Sequence, residues 1–128
     1  DEIEIARKLH PENDHLKYQV EDASNLSFKS EQFDMVVSQN VFHHIPKWNK
    51  AIYEISRVLK INGYLFWLDL AFPKPLVSVL RNVIKNYGLY TIKEIRTTFK
   101  SVSLEELNYE KMIHGFMIHH HLVLKKNA

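Results

Sequence analysis

The spacing of apolar residues changes along this chain, and the order of the changes predicts its elements. "EIEIARKLH" over residues 2–10 sets Ile3, Ala6 and Leu9 at helical spacing, and Pro11 with the polar run "ENDH" ends that helix. "LKYQVED" alternates Leu16, Tyr18 and Val20, the pattern of a half-buried strand. "ASNLSFKSEQ" reads as loop. "FDMVVSQ" is apolar and β-branched without alternation, so a strand covered on both faces is expected. From Pro46, "PKWNKAIYEISRVLK" puts Trp48, Ala51, Ile52, Ile55, Val58 and Leu59 on one helical face. Asn62–Gly63 supplies the left-handed stop, and "YLFWLDL" is a second strand expected to be buried on both faces.

The pattern continues as helix and then hairpin. After "AFPKP", "LVSVLRNVIKNYG" predicts a helix with Leu76, Leu80, Val83, Ile84 and Tyr87 inward and Gly88 as terminator. "TIKE" at Thr91–Glu94 has the form of a capping box, followed by Ile92, Ile95, Phe99 and Val102 at 3-4-3 spacing. "VSLEELNYEKMIHGFMIHHHLVLKK" predicts two strands joined around Glu110–Gly115 as an antiparallel hairpin. Strand–helix alternation closed by a hairpin argues for an α/β fold with a mostly parallel sheet. No linker, repeat or low-complexity segment divides the chain, so 1–128 reads as a single domain.

Composition narrows the function classes. The 128 residues suffice for one core. The net charge of +2, with acids and bases interspersed, gives no basic stripe for nucleic acid. There is no cysteine, which removes disulfides and thiolate metal sites and fits a reducing, cytoplasmic compartment. No apolar run approaches the roughly 20 residues of a membrane span. The N-terminus is acidic and helical in pattern rather than a signal peptide, and it lacks an initiator methionine.

Candidate chemistry gathers in "VVSQNVFHHIPKW". His43–His44 reads as a metal site, a catalytic base or the packed start of a loop. Adjacent loop residues converge poorly on one ion, and no carboxylate or cysteine sits at ligand spacing. In His119–His120–His121, the first and third would share a strand face with His114 near in sequence, a pair able to capture zinc or nickel adventitiously. A closing strand with one wet face is the stronger reading, and no physiological metal site is expected. Asp34 starts its strand and reads as structural. Asp69 ends its strand, where it orients substrate or caps the next turn. Trp48 and Trp67 read as packing, and Phe72–Pro75 as a rigid lip or a connector.

Four blocks, "IARK", "YQVEDASNLSF", "FDMVVSQNVFHHI" and "AIYEISRVLKINGYLFWLD", stand in an order and spacing that resemble class I S-adenosylmethionine-dependent methyltransferases of the small-molecule type. The resemblance implies a Rossmann-like sheet of order 3-2-1-4-5-7-6 with its last strand antiparallel. It implies that Asp22 accepts the adenine amino group and the Ala23 N–H meets a ring nitrogen. Ser38 and Gln39 would line the methionine part of S-adenosylmethionine. Val41, Phe42, His43 and His44 would wall the sulfonium and the substrate entrance, with His44 or His43 as base where the acceptor loses a proton. No metal is implied.

The chain departs from that family in lacking its glycine-rich loop and its ribose-binding acid, and "KING" replaces the usual "KPGG". The first two family strands are missing, which leaves about 14 Å of sheet between "LKYQVED" and "FDMVVSQ". The expectation is the C-terminal two-thirds of a methyltransferase domain, truncated at its N-terminus and inactive alone, with weak or no cofactor binding. Other outcomes are strand exchange between copies, or direct pairing of the two separated strands. The rival class is a degenerate, non-enzymatic module that associates through open sheet edges into a homo-oligomer.

Overall fold

The computed structural model describes residues 2–115 and 117–128. Helix α1 (Glu2–Leu9) is followed by an irregular stretch, then strand β1 (Phe33–Gln39) and a 3₁₀ turn (Phe42–His44). Helix α2 (Trp48–Val58) runs directly into β2 (Leu59–Leu70). Helices α3 (Lys74–Leu80) and α4 (Ile92–Ser101) precede β3 (Leu104–His114) and β4 (Met117–Lys126). The sheet order is β1-β2-β4-β3. β1 and β2 are parallel; β2 with β4, and β4 with β3, are antiparallel. This mixed α/β sheet holds one parallel pairing where a parallel majority was expected. The terminal hairpin is present, and Phe116 lies outside the described residues.

One face of the sheet carries the core. Leu65 and Trp67 of β2 stand opposite Leu124 and Leu122 of β4, and all four are buried. Ala51, Ile52 and Ile55 from α2 and Ile95 and Phe99 from α4 close over them. Trp67 makes edge contacts with Phe42 and Phe99 at ring-centroid distances of 6.0 and 5.9 Å. Each such side chain contributes roughly 1.5–3 kcal/mol by leaving water. The other face is wetter: Phe66, Leu68 and Leu70 are half-buried, and Met35 and Val37 of β1 are exposed. The expected burial of both strands on two faces is therefore corrected. The helices that cover this sheet lie on the Trp67 side, which leaves the alternate residues of β1 and β2 open.

Two further expectations change. "LKYQVED" forms no strand; its only ladder contact is the Asn13–Leu16 bridge, and the backbone from 17 to 22 is irregular. A strand needs a neighbour to satisfy its backbone groups, and the segment pairs with neither edge of the sheet. The helix after "AFPKP" stops at Leu80 and buries Val77; Leu76, Val83 and Tyr87 are exposed. Val83 and Ile84 N–H both donate to the Leu80 carbonyl, which tightens the chain into turns. Asn62, in contrast, takes the expected left-handed conformation at φ 67°. It sits in an irregularity of the β1–β2 register, within β2 rather than in a separate turn.

Candidate functional site

Parallel strands β1 and β2 end together, and the loops beyond their carboxyl ends form the rim where open α/β sheets bind ligands. Ala23, Ser38, Val41 and Phe42 line one apolar groove of about 360 Å³, with Leu26, Phe28 and Val36 also in its wall. The Ala23 turn and the end of β1 thus share a crevice, although 17–22 is not a strand. Gln39 alternates to the opposite side from Ser38 and is exposed.

The groove wall is fastened from α2. Glu54 Oε2 accepts the Leu26 N–H at 2.9 Å. Arg57 donates to the Phe28 and Leu26 carbonyls at 2.8 and 3.0 Å and pairs with Glu54 at 2.7 Å. Arg57's hydrogen bond to the carboxylate lowers the Glu54 pKa, and the same contact raises that of Arg57. Next to Ala23 in sequence, Asp22 Oδ1 accepts the Ser24 N–H and hydroxyl, each at 2.8 Å. These bonds, the backbone one foremost, hold the Asp22 carboxyl below its ordinary value. Asp22 therefore caps its own turn through Oδ1, while Oδ2 takes no hydrogen bond among the described residues.

Asp69 takes the second of its two expected roles, capping the turn that follows β2, and it is fully buried rather than turned to an open substrate site. Its Oδ2 accepts the Val41 and Phe42 N–H groups at 2.8 and 2.7 Å. Its Oδ1 accepts the Leu70 N–H at 2.8 Å and lies 2.5 Å from His43 Nδ1. The carboxylate thus fastens the loop after β1 as well as the turn that follows β2. Opposite it in the register stands His120, whose Nδ1 lies 2.8 Å from the Tyr109 hydroxyl. Burial lowers the His120 pKa, helped by the nearby Lys111 charge. Tyr90, wholly buried beside this corner, has its phenol pushed up by burial and then by the Asp69 charge.

The paired histidines separate. His43 turns inward to Asp69, with its side chain 16% exposed. His44 is exposed, with ring-centroid distances of 4.0 Å to His43 and 5.8 Å to Tyr87. In β4, His120 is buried while His119 and His121 are half-buried on alternate positions. His114 and His119 bring their rings to 5.9 Å. Of these fastening roles, the Asp69 cap on the Leu70 N–H and the i, i+3 spacing of Glu54 and Arg57 are local signals; the other partners of all three are distant in sequence and were not legible beforehand.

The family model described as "Methyltransferase domain" matches residues 1–67. Over 49 residues the chain is 41% identical to phthiotriol/phenolphthiotriol dimycocerosates methyltransferase 1 of Mycobacterium ulcerans, covering 38% of this chain and 18% of that protein. It is 29% identical over 69 residues to the uncharacterized methyltransferase YcgJ of Bacillus subtilis, covering 52% of this chain and 27% of YcgJ. The matched segments are thus about a quarter or less of those relatives' lengths. The crystal structure of YcgJ superposes with a TM-score of 0.75 at 16% identity, over 98% of this chain and 76% of that one. A SAM-dependent methyltransferase structure from Methanosarcina mazei gives a TM-score of 0.68 at 19% identity, over 85% of this chain and 66% of that chain. These likenesses show a shared fold.

Proposed function

This chain belongs to the methyltransferase-domain family, and from that premise we propose that its groove serves S-adenosylmethionine-dependent methyl transfer to a small-molecule acceptor in the complete protein. The observation that carries the reading is the convergence of Ala23, Ser38, Val41 and Phe42 on one groove at the carboxyl end of a parallel strand pair. The residues present suit the adenine end of the cofactor. Asp22 keeps Oδ2 for an exocyclic amino group, beside the Ala23 N–H. Leu26, Phe28 and Val36 offer apolar surface to a flat ring. Ser38 and the backbone beyond Gln39 would flank the methionine end.

When bound, the cofactor supplies a methyl group on a positively charged sulfur that leaves as a neutral thioether. The protein's part is alignment and exclusion of water. Val41 and Phe42 form a wall whose path Asp69 fixes, and His43 or His44 stands beyond it to take a proton where the acceptor carries one.

The test is a titration of the ¹⁵N-labelled chain with S-adenosylhomocysteine. Weak binding is expected, with little heat by calorimetry and with amide shifts concentrated at Asp22, Ala23, Ser38 and Val41. Asp22→Asn, which offers an amide N–H₂ to the adenine amino group in one of its two orientations, should reduce those shifts. Shifts concentrated on the β3–β4 hairpin or on α4 would refute the site.

A further inference from the structure

Asp69 is the only buried acid among the described residues. Three backbone N–H groups, those of Val41, Phe42 and Leu70, donate to its two oxygens. A carboxylate only accepts, so the 2.5 Å contact with His43 Nδ1 places the ring proton on Nδ1. That leaves the lone pair on Nε2, the nitrogen turned away from Asp69. From the other side, the Gly88 N–H donates to the His43 carbonyl at 3.0 Å, which fixes the backbone that carries the ring. His43 follows directly on Phe42, a wall of the groove. His44 has no such arrangement: its ring is exposed, and no hydrogen bond reaches either of its nitrogens from the described residues.

We propose that Asp69 is a positioning residue that holds His43, rather than His44, as the proton acceptor beside the groove, and that the substrate's methyl-accepting atom therefore carries a proton. The inference rests on the methyl-transfer reading and sharpens it to a substrate class: a hydroxyl, an N–H or an acidic C–H. The electron pair of the accepting atom forms the new bond to carbon. The carbon–sulfur pair stays with sulfur, and the proton on the accepting atom passes to His43 Nε2, giving an imidazolium whose charge Asp69 offsets. A tertiary amine or a thioether has no proton to lose and would not need this arrangement.

A merely structural link between the two loops would fix the same tautomer, so the tautomer tests the contact and a proton-bearing ligand tests the role; the first is measurable without cofactor. In ¹⁵N spectra of the chain at a pH where the ring is neutral, His43 should show a protonated Nδ1 and an unprotonated Nε2 as a single tautomer. The Nε2–H tautomer, or an even mixture, would overturn the proposal whether or not the groove binds cofactor. Asp69→Asn should move the proton to Nε2. The loop N–H groups claim its one carbonyl oxygen, and its N–H₂ then faces Nδ1. His44→Gln should leave the His43 tautomer in place.

The wild-type spectrum decides the first point even if Asp69→Asn fails to fold. For the substrate class, phenol is added in the presence of S-adenosylhomocysteine, with anisole as the O-methylated control. Phenol, and not anisole, should shift His43 Nε2. A shift at His44 instead, or at neither histidine, would overturn the assignment. Failure of the groove itself reads out separately, as absent shifts at Ala23 and Val41 on adding S-adenosylhomocysteine.

Discussion

At Gly88 an added Cβ would lie 2.3 Å from the Phe42 carbonyl oxygen and 2.7 Å from that of Ile45. Both are backbone atoms of the loop that carries the histidines, so neither can swing aside as a side chain would. Gly88→Ala must push the loop away from the 88–90 segment, against the hold of Asp69. A loss on the order of 2 kcal/mol is expected, in the range of overpacked cores, read from the urea midpoint at constant m-value. A change within about 0.5 kcal/mol, typical of exposed sites, would mean that the loop yields freely. From sequence, Gly88 reads as a helix terminator, because the pattern before it is helical. Its close approach to Phe42 is a contact across 46 positions, and no local pattern encodes it. Asn62 was legible for the opposite reason: its positive φ is a preference of the residue itself.

Among the elements, α4 carries the most complete local signal. Thr91 Oγ1 accepts the Glu94 N–H at 3.2 Å, and Glu94 Oε2 accepts the Thr91 N–H at 2.8 Å, which closes the capping box. Thr91→Ala should cost about 1 kcal/mol, measured by denaturant unfolding. The box also makes stability depend on pH. Burial works against the Glu94 charge, but the Thr91 N–H and the Arg81 guanidinium outweigh it, so its pKa lies below the ordinary 4.5. A lowered folded pKa stabilises above the unfolded value and is lost as pH falls through the folded one. Glu94→Gln and wild type should therefore converge as pH falls through the lowered Glu94 value and differ most near neutrality. A gap that stays constant down through that range would remove Glu94 from the account.

The same contrast explains which elements could be read in advance. β1, α2, β2, α4 and the hairpin carry patterns that their own neighbours satisfy. Residues 16–22 carry a strand pattern too, but a strand forms only where another backbone pairs with it, and here none does. The helix before Gly88 was overextended because Val83, Ile84 and Tyr87 keep helical spacing after the chain has turned at Leu80. At the site, Ala23, Ser38, Val41 and Phe42 line one groove, while Gln39 alternates to the other side of β1. For Asp69 the cap on the following turn was legible, but its hold on Val41, Phe42 and His43 was not, since burial of a strand-end carboxylate depends on where the loop after β1 comes to rest.

Across the whole molecule, packing is concentrated on one side of the sheet and at one end of the chain. The buried cluster draws on Phe42 and on residues from Ala51 to Leu124, with none from the first 41 positions. α1 buries none of its residues. Arg7 ties it to the following stretch, to the Tyr18 carbonyl at 3.2 Å and to Glu12 at 3.5 Å, both exposed. Exposed ties of this kind contribute little, and a helix of eight residues is marginal without a packed face. The region before the groove should therefore open without disturbing the core, as local unfolding in units of unequal stability. Amides of α1 are expected to exchange with solvent with little protection. Those of Leu65, Trp67 and Leu122 should exchange only by global unfolding, with a free energy that matches the denaturant value. Limited proteolysis should cut first between residues 10 and 20 and leave the rest intact. Amides around Ala23 should fall between these limits, since Glu54 and Arg57 tie residues 26–28 to α2, and S-adenosylhomocysteine should raise their protection alone. If α1 amides exchanged at the rate of the β2 core, the chain would unfold as one unit, and the groove would be as rigid before ligand arrives as after.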